Sequence, residues 1–271
     1  MIRRAAARRL FHAALVFLAI LGAAAIAAPL VAPYSPTEQR LDQRLAPPSR
    51  THLLGTDNLG RDLLSRTIYG SRSALLVGVV AVAISCLLGS LVGLVAALSA
   101  RSLDNLLMLA MDSLLSFPTV LLAITVVSFL GYGLVQVMIA VGVIYSPTFA
   151  RLVRAETLAL KTEGYVEASQ ALGTPQVKVV FRHILPNLLG KVVVQCSITF
   201  ALTVVIEASL SYLGLGAQPP TASWGLMLKD ARDYLVQAPW LALYPGVALA
   251  LTVLCFNILG DALSERLNPK L

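Results

Sequence analysis

Apolar positions in this chain neither alternate nor follow an amphipathic helical period; they collect into long runs separated by short polar stretches. A helix rises about 1.5 Å per residue and needs roughly 20 apolar residues to cross a hydrocarbon core of about 30 Å. The runs predict six membrane spans, near Leu10 to Ala32, Ala74 to Ala100, Leu106 to Leu130, Leu134 to Ala150, Val192 to Leu215 and Trp240 to Gly260. Only Gly131, Tyr132 and Gly133 separate the third from the fourth. That spacing fits two spans joined by a tight turn, or alternatively one broken re-entrant segment. The first run exceeds the roughly 7 to 15 residues of a secretory signal core, so Arg3, Arg4, Arg8 and Arg9 introduce a retained anchor.

The expected fold class is therefore all-α, a polytopic transmembrane helical bundle. Residues 1–72 would hold an N-terminal cytoplasmic tail, the first span and an extracytoplasmic segment. Residues 73–271 would form a five-helix transmembrane core with a cytoplasmic loop at about 151–191. Small residues at packing spacing, such as Gly89-x-x-x-Gly93, suit helices that associate by close backbone approach.

Composition agrees with a membrane solvent. The 271 residues are 57% hydrophobic and 13% charged, with a mean hydropathy of +0.79. Soluble domains run roughly 45 to 50% apolar and about 25% charged, so a soluble all-helical domain is the weaker alternative. The net charge of +7 could suit a nucleic-acid binder, but the basic residues lie between apolar runs and form no stripe with aromatics. Membrane orientation accounts for them better. With both termini cytoplasmic, the inside segments hold thirteen Lys and Arg and the outside segments eight, in the direction of the positive-inside rule.

Cys86, Cys196 and Cys255 lie far apart within apolar runs and read as small hydrophobes. His12, His52 and His183 are equally scattered, so no metal cluster is suggested. Asp112 and Glu207 are the acids placed inside apolar runs, where a carboxylate is costly and counts as a functional candidate. Asp112 lies near a cytoplasmic end and can snorkel. Glu207 is deeper; it could make a structural hydrogen bond, line a translocation path or hold a proton.

The stretch from Arg151 to Lys191 reads as two short helices. One would run from Ala155 to Leu172 and stop at Gly173, which takes a left-handed C-cap at little cost. The other would begin at Pro175, with Thr174 offering an N-cap hydroxyl, and end before Pro186. Glu163 and Glu167 stand four apart on the first, Lys178 and Arg182 four apart on the second. Such like-charged pairs mildly destabilise an isolated helix, so the loop is either a solvated connection or a docking surface whose partner supplies opposite charge.

Glu167-Ala168-Ser169, then Gly173, then Ile184-Leu185-Pro186 resembles the EAA loop of binding-protein-dependent ABC importer permeases. Ser169 departs from the usual second alanine. His52-Leu53-Leu54-Gly55-Thr56-Asp57-Asn58-Leu59-Gly60-Arg61-Asp62 is similar to a signature of the C-type subunit in the peptide and nickel branch of that family. So are Ser211 to Gly216 running into Pro219-Pro220 and Trp224-Gly225, and Asn257-x-x-Gly260-Asp261 with Asn268-Pro269, where the branch more often has Asp-Pro.

The resemblance implies a permease subunit in the cytoplasmic membrane that translocates di- or oligopeptides, or nickel and related small solutes. It assigns ATPase coupling to Glu167, Ala168, Ser169, Leu172 and Gly173. The implied partners are a homologous second permease, two ATP-binding subunits, an extracytoplasmic solute-binding protein and membrane lipid. No cofactor belongs to this chain, since it has no G-x-x-x-x-G-K-[ST] loop; ATP and Mg would sit in the partners.

Gly55, Thr56, Asp57, Gly60, Arg61 and Asp62 would form either a contact for the partner permease or receptor, or a structural turn held by Asp57 and Asp62. The following Leu63, Leu64, Ile68 and Tyr69 could lie along the outer leaflet as an interfacial helix. The rival function is an ion-coupled secondary transporter using Glu207, although no internal repeat is evident. An intramembrane enzyme would need a nucleophile with its base, or an H-E-x-x-H set, and neither occurs.

Overall fold

The computed structural model describes residues 2–267, with side chains from 9 to 265. Asn268, Pro269 and the side chains of Arg3, Arg4 and Arg8 lie outside the described residues. Eleven α-helices carry the fold among the described residues: α1 Ile2–Ile26, α2 Ala28–Val31, α3 Leu63–Leu98, α4 Arg101–Leu115, α5 Thr119–Leu130, α6 Leu134–Lys161, α7 Gly164–Ala171, α8 Gln176–Val179, α9 Leu185–Tyr212, α10 Trp224–Ala231 and α11 Trp240–Leu267.

Among the described residues five helices are long and apolar enough to cross a membrane, and α4 with α5 would make a sixth crossing if counted together. That pair is bent by 95°. The third expected span, Leu106 to Leu130, is thus not one helix. Pro118 has no N–H to continue the ladder and stands at the N-cap of α5, so the helix breaks across Ser116-Phe117-Pro118. The fourth expected span is a continuous helix, so the break falls within the third alone.

Other boundaries also moved. The second span begins at Leu63 rather than Ala74, so the expected interfacial helix is the first turns of α3, and the division at 72/73 falls inside it. Asp62 caps this helix by accepting from Ser65 N at 2.8 Å. The fourth span runs on to Lys161 and absorbs the start of the expected loop helix at Ala155.

Helix α6 survives an internal Pro147 because Ser146 Oγ donates to the Val143 carbonyl, 2.8 Å away, which the missing proline N–H leaves free. Pro186 does not end the second loop helix as expected. The chain widens into a π turn over Val180–Ile184, where Leu185 N donates to Val180 O, and continues into α9. Asn187 Nδ2 donates to His183 O at 2.6 Å, adding a side-chain bond in this widened turn.

Small residues set the central contact. A Cβ on Gly89 would collide with the Ser146 carbonyl, and one on Gly93 with the Ala150 carbonyl. The Gly89-x-x-x-Gly93 pair therefore lets α3 lie directly on α6, while Ser85 Oγ reaches the Gly142 carbonyl at 2.8 Å. Val77, Ala81, Val127, Val141, Ile206 and Leu210 close an apolar core between α3, α5, α6 and α9. A second core joins α3, α9 and α10 through Leu63, Phe200, Val204, Trp224 and Met227. The N-terminus of α3 and the C-terminus of α9 share one end of the bundle. The α6–α9 loop lies at the other.

Candidate functional site

Within the α6–α9 loop, α7 has one buried side chain. Val166 of α7 is fully buried against Val153, Val179, Val180, Ile184 and Leu188, leaving the rest of α7 free to face outward. This helix ends in a Schellman turn: Gly173 has φ +76°, its N–H donates to Gln170 O at 2.9 Å, and Thr174 N donates to Ser169 O at 3.2 Å. Thr174 makes no side-chain cap, and Pro175 itself occupies the N-cap of α8.

Glu167, Ala168, Leu172 and Gly173 are exposed and Ser169 is half-buried, so the five coupling candidates share one short surface segment. Leu172 is 87% exposed, and Val177 and Phe181 are each 68% exposed beside it. Val177 and Phe181 went unnoticed in the sequence, although both alternate with Lys178 and Arg182 at helical spacing. Exposed apolar side chains grouped beside unpaired charges have the character of a docking surface. Among the described residues Glu163, Glu167, Lys178 and Arg182 enter no ion pair.

Both roots of the loop are braced. Arg154 of α6 forks onto Asp104 of α4, with Nε to Oδ1 at 2.5 Å and Nη2 to Oδ2 at 2.6 Å. Arg151 meets Asp112 at 2.9 Å. Asp112 is thus ion-paired and half-exposed on α4 rather than buried in the bundle. Lys191 of α9 pairs with Glu156 of α6, and Lys161 Nζ donates to the Ala97 carbonyl of α3 at 3.2 Å.

At the opposite end, the segment before α3 folds around buried charge. Asp57 Oδ1 accepts from the backbone of Leu59 and Arg61, both at 2.9 Å, and its Oδ2 takes Arg61 Nε at 2.6 Å. Arg66, 1% exposed, comes within 3.4 Å of the same oxygen. Arg61 also reaches Asp230 of α10 at 3.3 Å. Burial pushes the Asp230 carboxyl above the usual carboxylate range, against the pull of Arg61 and Arg66.

Asp62 binds His52 Nδ1 at 2.8 Å, and Thr56 Oγ1 donates to the Gln43 carbonyl. Gly55 and Gly60 have φ +82° and +71°, and a Cβ on Gly60 would strike the Arg40 carbonyl. All six signature residues are therefore brought into one buried network.

Glu207 is 1% exposed in α9 and accepts from Ser211 Oγ at 2.8 Å and Ser223 Oγ at 3.0 Å. Ser223 is the N-cap of α10, so this carboxylate ties α9 to the following helix. Cys86 and Cys196, 110 positions apart, are neighbours across α3 and α9. Among the described residues no group of three or more His, Cys, Asp or Glu is placed to hold a metal.

Residues 89–271 match the family described as binding-protein-dependent transport system inner membrane component, and residues 1–48 match the N-terminal TM domain of oligopeptide transport permease C. The di/tripeptide transport system permease protein DppC of Pseudomonas aeruginosa is 42% identical over 263 residues, covering 95% of this chain and 87% of that one. The glutathione transport system permease protein GsiD of Escherichia coli is 42% identical over 270 residues, covering 99% and 89%. A solved chain of the MetNI methionine ABC transporter has a TM-score of 0.63 at 22% identity, covering 76% of this chain and 96% of that one, a likeness of fold. With the family match over most of the sequence, and relatives above two-fifths identity along nearly all of it, the chain belongs to the binding-protein-dependent permeases, the membrane-spanning subunits of ABC importers.

Proposed function

We propose that this permease carries di- and oligopeptides across the cytoplasmic membrane, driven by separate subunits that bind Mg and ATP. The peptide substrate is supported by the relatives, whose names specify di/tripeptide and glutathione transport. The observation that carries the coupling is the α7 surface: unpaired charges and open apolar side chains, held on a base braced to α3, α4 and α9. A groove in an ATP-binding subunit that covers Leu172, Val177 and Phe181 and offers charge to Glu167 would complete this surface.

In this reading Glu167, Ala168, Ser169, Leu172 and Gly173 seat in one of two ATP-binding subunits, and a homologous permease and an extracytoplasmic solute-binding protein complete the importer. Both termini are cytoplasmic, with α4 and α5 counted as one broken crossing. ATP binding draws the ATPases together, the docked knobs move with them, and the bundle opens outward to receive solute. Gly55, Thr56, Asp57, Gly60, Arg61 and Asp62 hold the outer segment in shape, and Glu207 braces α9 against α10 rather than touching solute.

Reconstitution tests this. Liposomes holding the permease pair and the ATPases should take up a dipeptide only with ATP and the receptor present. Uptake by this chain alone, driven by a proton or sodium gradient without nucleotide, would overturn the reading in favour of an ion-coupled carrier.

A further inference from the structure

A cavity of about 340 Å³ opens at the outer end of the bundle, between α3, the segment before it and the α9–α10 connection. Its two walls are fixed to α3 by polar bonds. Arg66 Nη1 donates to the Pro36 carbonyl at 3.1 Å, and Ser73 Oγ donates to the Ala222 carbonyl at 2.8 Å. Between those anchors Arg72 lines the cavity, its guanidinium 5.8 Å from the Tyr69 ring centroid. Among the described residues Arg72 enters no ion pair, unlike Arg61, Arg66, Arg151 and Arg154.

Position sharpens the point. Below Arg72 the same face of α3 continues through exposed Leu76, Val79, Ala83 and Leu87, so this is the last charge on that face before hydrocarbon depth. A guanidinium presents paired donors in the geometry of a carboxylate, and the cation–π contact with Tyr69 leaves those donors available. We infer that Arg72, with Tyr69 behind it, receives the C-terminal carboxylate of a peptide entering the permease. The inference rests on the peptide reading above.

The test is uptake of alanyl-alanine by liposomes holding the complete importer and its receptor, across peptide concentrations. Arg72→Gln should raise KM about tenfold with the maximal rate within about twofold, and Arg72→Lys should fall between, since one charged hydrogen-bonding partner is lost or weakened. An unchanged KM overturns the inference. So does a loss of thermal stability that depends on anionic lipid while KM holds, because the guanidinium would then serve a lipid headgroup. Wild-type liposomes that take up no peptide at all would refute the substrate reading instead, which keeps the two failures apart.

Discussion

Asp104 and Arg154, fifty positions apart, form a two-pronged ion pair that fastens α4 to the end of α6 from which the α6–α9 loop departs. Helix α4 has no buried residue, so this pair and Arg151–Asp112 are polar clasps on an otherwise lightly held element. Under the proposed coupling, motion of the loop would reach α4 through these pairs.

Reversing one charge should therefore disturb transmission more than folding. Partly exposed pairs contribute under about 1 kcal/mol to stability. Arg154→Asp is expected to leave thermal stability nearly unchanged yet lower ATP-driven uptake several-fold. The exchange Asp104→Arg with Arg154→Asp should restore much of it. Uptake assays beside melting curves of the solubilised complex separate the two effects.

Gly173 offers a sharper lesion. Its φ of +76° costs an L-residue about 1 to 2 kcal/mol, and a Cβ there meets no atom, so Gly173→Ala should be tolerated with reduced coupling. Proline cannot adopt that angle and removes the N–H that bonds Gln170 O. Gly173→Pro is expected to insert normally while ATP hydrolysis continues without uptake. The ratio of peptide moved to ATP hydrolysed reads this out.

For Glu207 the conservative variant is the informative one. Glutamine keeps an oxygen for Ser211 and Ser223, so Glu207→Gln should transport near wild-type level. Glu207→Ala strands two buried hydroxyls at about 1 to 3 kcal/mol each and should lower the melting temperature. Abolished uptake in Glu207→Gln at normal stability would point to proton or ion chemistry at that carboxylate.

Asp57→Ala should be among the most damaging outer substitutions, since it leaves Arg61 and Arg66 buried without their shared partner. The expected loss is about 3 to 5 kcal/mol. Asp230→Ala should cost less, because Asp230 is partly exposed and its bond to Arg61 is longer at 3.3 Å. Limited proteolysis of the segment before α3 ranks the two.

The spans were legible wherever apolar length alone decides, as in α3, α6, α9 and α11. The elbow between α4 and α5 was hidden because hydropathy does not register direction, although Pro118 was in view. Pro186 misled in the other direction: a proline normally stops a helix, and only the wider turn around it permits passage. Gly173 followed local backbone chemistry and could be read from one residue. The Arg61–Asp230 bond spans 169 positions, and no periodicity within either segment encodes it.

That wider turn has a mechanical result. Residues 176–212 form one continuous helical run of 37 residues, about 55 Å long, from the proposed docking knob to the other end of the bundle. Under the proposed coupling, a small tilt imposed at the knob would become a proportionate swing at the distal tip, where the Glu207–Ser223 strut joins α10. Solute entry would then be timed by leverage along a single stiff beam rather than by successive rearrangements relayed through loops.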